Sequence, residues 1–145
     1  MIYNGAGFDD YQGELDDLAV TVREAFDVIR AADISDQYDS IIVTGISGIL
    51  VGSPVALRLN KPLVILRKDG DMHHNGRIVI NVDRMGKRCL WLDDFVSLGN
   101  TEARVWAFLD ERGAELAYRY LYSHHELTRM SDGKIIAWSS NVFAF

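Results

Sequence analysis

The sequence predicts an α/β domain, a parallel β-sheet flanked by helices. Two observations carry that expectation. Short runs such as Ser40-Ile41-Ile42-Val43-Thr44 and Leu63-Val64-Ile65-Leu66 are strand-length and almost continuously apolar. Strands buried on both faces, as in a parallel sheet, read that way. Helical patterns alternate with these runs, as in a sheet built with right-handed crossovers. The chain has 145 residues, which fits a single domain over 1–145.

The elements follow in order. Residues 13–32 place Leu15, Leu18, Ala19, Val22, Phe26 and Ile29 at helical spacing, with most of the charges off that stripe. The strand at 40–44 empties into Gly45-Ile46-Ser47-Gly48, expected to be a loop. A helix over 49–59 comes next, with Pro54 near the start of its regular turns or at a kink and Pro62 past its end. After the strand at 63–66, residues 67–76 are polar, contain two glycines and lack periodicity, so they read as a loop. Residues 77–82 are expected to be a strand closing that loop. A strand at 88–92, a loop at 93–100 and a helix at 101–112 follow, with Gly113 as the C-cap glycine. Residues 115–121 form another strand, and 134–138 alternate weakly, as an edge strand does.

Bulk composition narrows the function classes. The formal net charge is -6, against a general nucleic-acid binder, which normally shows a basic face. The single cysteine, Cys89, lies in an apolar run; it reads as a small buried core residue and fits a reducing compartment. The sequence shows neither a signal-peptide pattern nor an apolar run near the ~20 residues that span a bilayer. A cytoplasmic location is expected.

In parallel sheets ligands bind outside the carboxyl ends of the strands. That rule puts 45–48, 67–76 and 93–100 on one rim. The last is the most informative: Leu90-Trp91-Leu92-Asp93-Asp94-Phe95-Val96-Ser97-Leu98-Gly99-Asn100-Thr101. An apolar strand delivers two adjacent carboxylates, and a turn of small and polar residues then enters a helix. Free N–H groups and the helix dipole favour a phosphate there. Gly99 lets the backbone approach closely. The carboxylates repel that phosphate but suit a neighbouring diol. Together the two features specify a sugar phosphate. The bland alternative is a solvated acidic loop that caps a helix.

This segment resembles the phosphoribosyl-pyrophosphate (PRPP) motif of type I phosphoribosyltransferases. The resemblance extends upstream. Thr44, Gly45, Ile46, Ser47 and Gly48 look like that family's pyrophosphate loop, and 61–68 is similar to the strand and basic pair before its catalytic flexible loop. The likeness covers about 40–122 in the correct order and is greatest to orotate and adenine phosphoribosyltransferases. It implies a phosphoribosyltransferase-like, Rossmann-like core. It also implies that Asp93 and Asp94 bind the ribose hydroxyls, and that Ser97, Leu98, Gly99, Asn100 and Thr101 form the 5-phosphate turn. Thr44 to Gly48, with Arg67 and Lys68, would hold the diphosphate, and a loop carrying His73 and His74 would close over it.

The activity implied is a pentosyl glycosyltransferase reaction of nucleotide metabolism. The 5-phosphoribosyl group of PRPP passes to a nucleobase, and pyrophosphate is released. Magnesium is expected to arrive with the diphosphate, with Asp93 and Asp94 as candidate ligands, rather than a transition metal held by His73, His74, His124 and His125.

The sequence departs from the family at Leu98, where a hydroxyl residue is common, and in the short chain ends that would build its base-reading hood. Tyr3, Phe8, Tyr11, Trp138 and Phe143 could stack a base there, pack over the rim or join a homodimer contact. Two other readings stay open. One is a non-catalytic module that binds PRPP, a nucleotide or another protein. The other is a flavodoxin-like signalling domain, which would leave the Asp-Asp turn unexplained.

Overall fold

The computed structural model describes residues 8–67, 79–94 and 100–139. Helix α1 (Phe8–Ala31) leads to strand β1 (Ser40–Thr44), helix α2 (Gly45–Leu59) and strand β2 (Leu63–Leu66). A two-residue strand β3 (Val79–Ile80) and a 3-10 turn (Val82–Arg84) precede β4 (Arg88–Asp93) and helix α3 (Asn100–Glu111). Strands β5 (Glu115–Leu121), β6 (Glu126–Arg129) and β7 (Lys134–Trp138) complete the order.

The strands form one seven-stranded sheet, ordered β3-β2-β1-β4-β5-β6-β7. The middle four, β2-β1-β4-β5, are parallel; β3 on one flank and β6-β7 on the other are antiparallel. Side chains on a strand point alternately to opposite faces. Ile41, Val43, Leu90 and Leu92 therefore face α1 and α2, packed with Val22, Ala25, Ile29, Val51 and Val55. Ile42, Cys89 and Trp91 face α3, packed with Val105, Phe108 and Leu109. Both faces are covered, which explains why these strands read as continuous apolar runs.

The structure revises the expected elements in several places. Strands β1, β2, β5 and β7 have the expected bounds. The expected Gly45-to-Gly48 loop is instead the first turn of α2, which starts directly at the end of β1. Pro54 consequently lies inside α2. The carbonyl its missing N–H leaves unbonded, four residues back, belongs to the half-exposed Leu50, where water can take over. Of the expected strand at 77–82, Val79–Ile80 pair with β2 and 77–78 lie outside the described residues; Asn81 turns left-handed, with its amide donating to the Leu63 carbonyl at 2.7 Å. Strand β6 was not anticipated.

Helix α2 rides closely on β1. A Cβ on Gly52 would stand 2.5 Å from Val43 Cγ1, and one on Gly48 would stand 3.1 Å from Val43 Cβ. The two glycines, one turn apart, let the helix axis approach the strand. Their spacing fixes where the N-terminus of α2 meets the sheet rim.

Candidate functional site

The strand order reverses between β1 and β4. From β1 the chain proceeds to β2 on one side, and from β4 to β5 on the other. The helix after β1 covers one face and the helix after β4 covers the other. Such a switch point opens a crevice outside the carboxyl ends of the two strands. The register pairs Ile42 with Trp91, so Thr44 and Asp93 end neighbouring strands together. On the far side of β1, Thr44 pairs with Leu66, which sets Arg67 on the same rim.

Each corner has its own construction. Thr44 is buried, extended at φ -127° and ψ 135°, and makes no side-chain cap hydrogen bond. The first-turn N–H groups of α2 therefore lack that internal acceptor. Gly45 has φ 70°, a conformation that glycine adopts without strain, and it turns strand into helix at one residue. At the end of β4, Asp93 is only 6% exposed, and its Oδ1 accepts the Asp94 N–H at 2.9 Å. Asp94 is half-buried. The turn after β5 braces both backbones: the Tyr122 N–H donates to the Asp93 carbonyl and the Ser123 N–H to the Asp94 carbonyl, each at 3.0 Å.

Asn100 and Thr101 open α3, whose first turns are tied down twice. Glu102 pairs with Arg119 of β5 at 2.5 Å. Arg104 donates through Nη2 to the Arg67 carbonyl at the end of β2. These contacts join α3, β5 and β2 around the crevice.

Thr44, Gly45, Ile46, Gly48, Arg67, Asp93, Asp94, Asn100 and Thr101 thus all lie at the carboxyl rim. For Ser47 only the backbone is described. Lys68, His73, His74, Ser97, Leu98 and Gly99 lie outside the described residues. Arg104 was not singled out from the sequence. The signal was available: a cation near a helix N-terminus opposes the dipole, and so calls for a specific partner.

No family model matches the chain. Individual relatives do. HGPRTase-like protein 2 of Haloferax volcanii is 31% identical over 102 residues, 62% of this chain and 55% of its own length. The orotate phosphoribosyltransferase of Pyrococcus horikoshii is 26% identical over 87 residues, 60% of this chain and 47% of its own. The chain is thus distantly similar in sequence to type I phosphoribosyltransferases and to HGPRTase-like proteins.

Solved phosphoribosyltransferases agree in fold. The crystal structure of orotate phosphoribosyltransferase from Aeropyrum pernix matches with a TM-score of 0.59 at 21% identity, over 76% of this chain and 60% of that one. The chain spans about half the length of the curated relatives it matches, 47% and 55% in these two cases. It shares the α/β core of the Aeropyrum pernix structure. Among the described residues no group of three or more His, Cys, Asp or Glu is placed to hold a metal ion. No helix among them is long and apolar enough to cross a membrane.

Proposed function

We propose that the protein binds PRPP and transfers its 5-phosphoribosyl group to a nucleobase. The observation that carries this reading is the meeting of the Asp93–Asp94 strand end with the N-terminus of α2 at the switch point. Two carboxylates suit a ribose diol, and an adjacent helix start suits a phosphate. The relatives named orotate phosphoribosyltransferase support the same reading.

In this reading Asp93 and Asp94 orient the ribose, with the more accessible Asp94 making the larger contribution. Ser97, Leu98, Gly99, Asn100 and Thr101 hold the 5-phosphate at the start of α3. Thr44, Gly45, Ile46, Ser47 and Gly48 receive the diphosphate, and Arg67 and Lys68 neutralise it as it leaves. His73 and His74 belong to the segment that excludes water. The C1–O bond to pyrophosphate breaks as a C1–N bond to the base forms. The departing pyrophosphate takes the proton that the acceptor nitrogen releases. Magnesium would add charge neutralisation on the diphosphate, and the Asp93 and Asp94 oxygens are the hard donors that fit it.

Calorimetric titration with PRPP and magnesium tests the reading, followed by a panel of nucleobases assayed for pyrophosphate release. Binding with release from one base is expected. Absence of binding sinks the proposal. A second reading, suggested by relatives named only HGPRTase-like proteins, is a PRPP- or nucleotide-binding module without turnover. Binding with no release from any base would select it.

A further inference from the structure

A buried polar cluster lies behind the turn that braces the two aspartates. His125 is buried and adopts φ 49°, in the left-handed region. Its Nδ1 lies 2.5 Å from the hydroxyl of Tyr120, a fully buried side chain of β5. The His125 carbonyl accepts the Ser139 N–H at 3.1 Å, and the Ser139 hydroxyl donates to Glu24 of α1 at 2.5 Å. Three elements thus converge on one turn residue. The other end of the same turn supplies the Tyr122 and Ser123 N–H groups that hold the Asp93 and Asp94 carbonyls.

We propose that His125, latched to Tyr120, is a positioning residue that holds the β5–β6 turn against the Asp93–Asp94 backbone and so sets the direction of both carboxylates. The consequence for ligand binding rests on the function proposed above; the latch itself does not. Burial pushes the Tyr120 hydroxyl well above its ordinary range, with Glu24 adding to the effect, so the hydroxyl keeps its proton. Burial also lowers the His125 pKa, partly opposed by Glu24. The proposed latch has the neutral His125 ring accepting a hydrogen bond from the Tyr120 hydroxyl at an unprotonated Nδ1. In that tautomer Nε2 carries the ring proton.

The left-handed backbone makes the choice of substitutions informative. Asparagine tolerates that conformation and carries an oxygen that can accept from Tyr120. Alanine does neither. Tyr120→Phe keeps the ring and removes only the donor.

Hydrogen exchange by NMR on the full chain reads the latch directly. In His125→Ala, protection of the Tyr122 and Ser123 amides should fall about tenfold, while Ile42 and Leu90 amides stay as they are. Tyr120→Phe should act in the same direction, and His125→Asn should keep most of the protection. Unchanged exchange at Tyr122 and Ser123 in His125→Ala overturns the latch. So does an equal loss throughout the sheet in both His125 variants, which would mark a mere packing role.

Titration with magnesium and PRPP then reads the positioning. The Kd should rise about tenfold in His125→Ala and by less than about threefold in His125→Asn. Lost protection with unchanged Kd overturns the positioning role. Failure of the unmodified chain to bind PRPP overturns both the proposed function and the positioning of its carboxylates for a ligand, whereas the exchange data still decide the latch.

Discussion

His125 also titrates, and its sign can be worked out. Burial lowers its folded pKa, so the unfolded chain takes up its proton first as pH falls. The groups facing it are Glu24 on α1 and Tyr120 on β5, and of these only Glu24 favours the charged ring. Stability from this residue is full above the ordinary histidine range, about 6.5, and drains away as pH falls from there toward the lowered folded value. Urea midpoints measured between about pH 7.5 and 5 should therefore drop in the natural chain and drop less in His125→Asn. Equal slopes would mean that other groups set the acid response. Cys89 offers a separate check at this scale. It is fully buried, and burial, reinforced by the Asp39 charge, pushes its thiol up to about 12. Alkylation by iodoacetamide at mildly alkaline pH should be negligible until denaturant is added; rapid labelling of the folded chain would contradict its place in the core. Asp94→Asn tests the site itself. Hydrogen bonds to a charged group contribute about 1.5–3 kcal/mol, so PRPP affinity should fall roughly 10- to 100-fold by calorimetry.

Helix α2 is the element on which packing and site meet most closely. Gly52→Ala would drive a methyl into Val43, whose Cγ1 stands 2.5 Å from the added Cβ, inside a core that cannot yield easily. A loss of about 1–3 kcal/mol is expected in chemical denaturation, and a smaller one for Gly48→Ala, whose contact is 3.1 Å. The reverse order would show that α2 does not ride on β1 as described. The same helix shows what was legible in the sequence. The apolar runs at β1 and β2 declared themselves because both faces are buried. The start of α2 did not, because Gly45-Ile46-Ser47-Gly48 carries turn residues that serve packing and a strand-to-helix switch, and local propensity cannot separate those uses. Strand β6, Glu-Leu-Thr-Arg, is four residues long and owes its conformation to pairing with β5 and β7, a non-local cause. At the site, the strand end at Asp93 and Asp94 and its place on one rim with Gly45 and Arg67 were readable. The Arg104 tie to β2 and the His125 latch were not, since each joins residues far apart in the chain or turns on a backbone angle.

At the scale of the whole molecule, the exposed apolar surface argues for self-association. Ile46, Leu50 and Leu57 are 78%, 52% and 81% exposed, and their spacing puts all three on one outer stripe of α2. Large apolar side chains aligned on a helix are normally covered. The stripe begins at the residue after Gly45, so a second copy docked there would stand beside the diphosphate end of the proposed site. Burial contributes about 1.5–3 kcal/mol for each such side chain, so three on each of two copies contribute at most about 9–18 kcal/mol, comparable with an association cost of about 4–15 kcal/mol. A stable homodimer centred on the stripe would extend beyond it to about 800 Å² on each partner. Sedimentation velocity should show a homodimer. Leu50→Glu, which sets an ionised carboxylate at the middle of the stripe, should shift it to monomer, while the circular dichroism of the fold is retained because the position is solvent-facing in the single chain. PRPP affinity and association can then be compared in that one variant. A monomeric natural chain, or a dimer indifferent to Leu50→Glu, would remove α2 from the interface and leave the site to be completed within one copy.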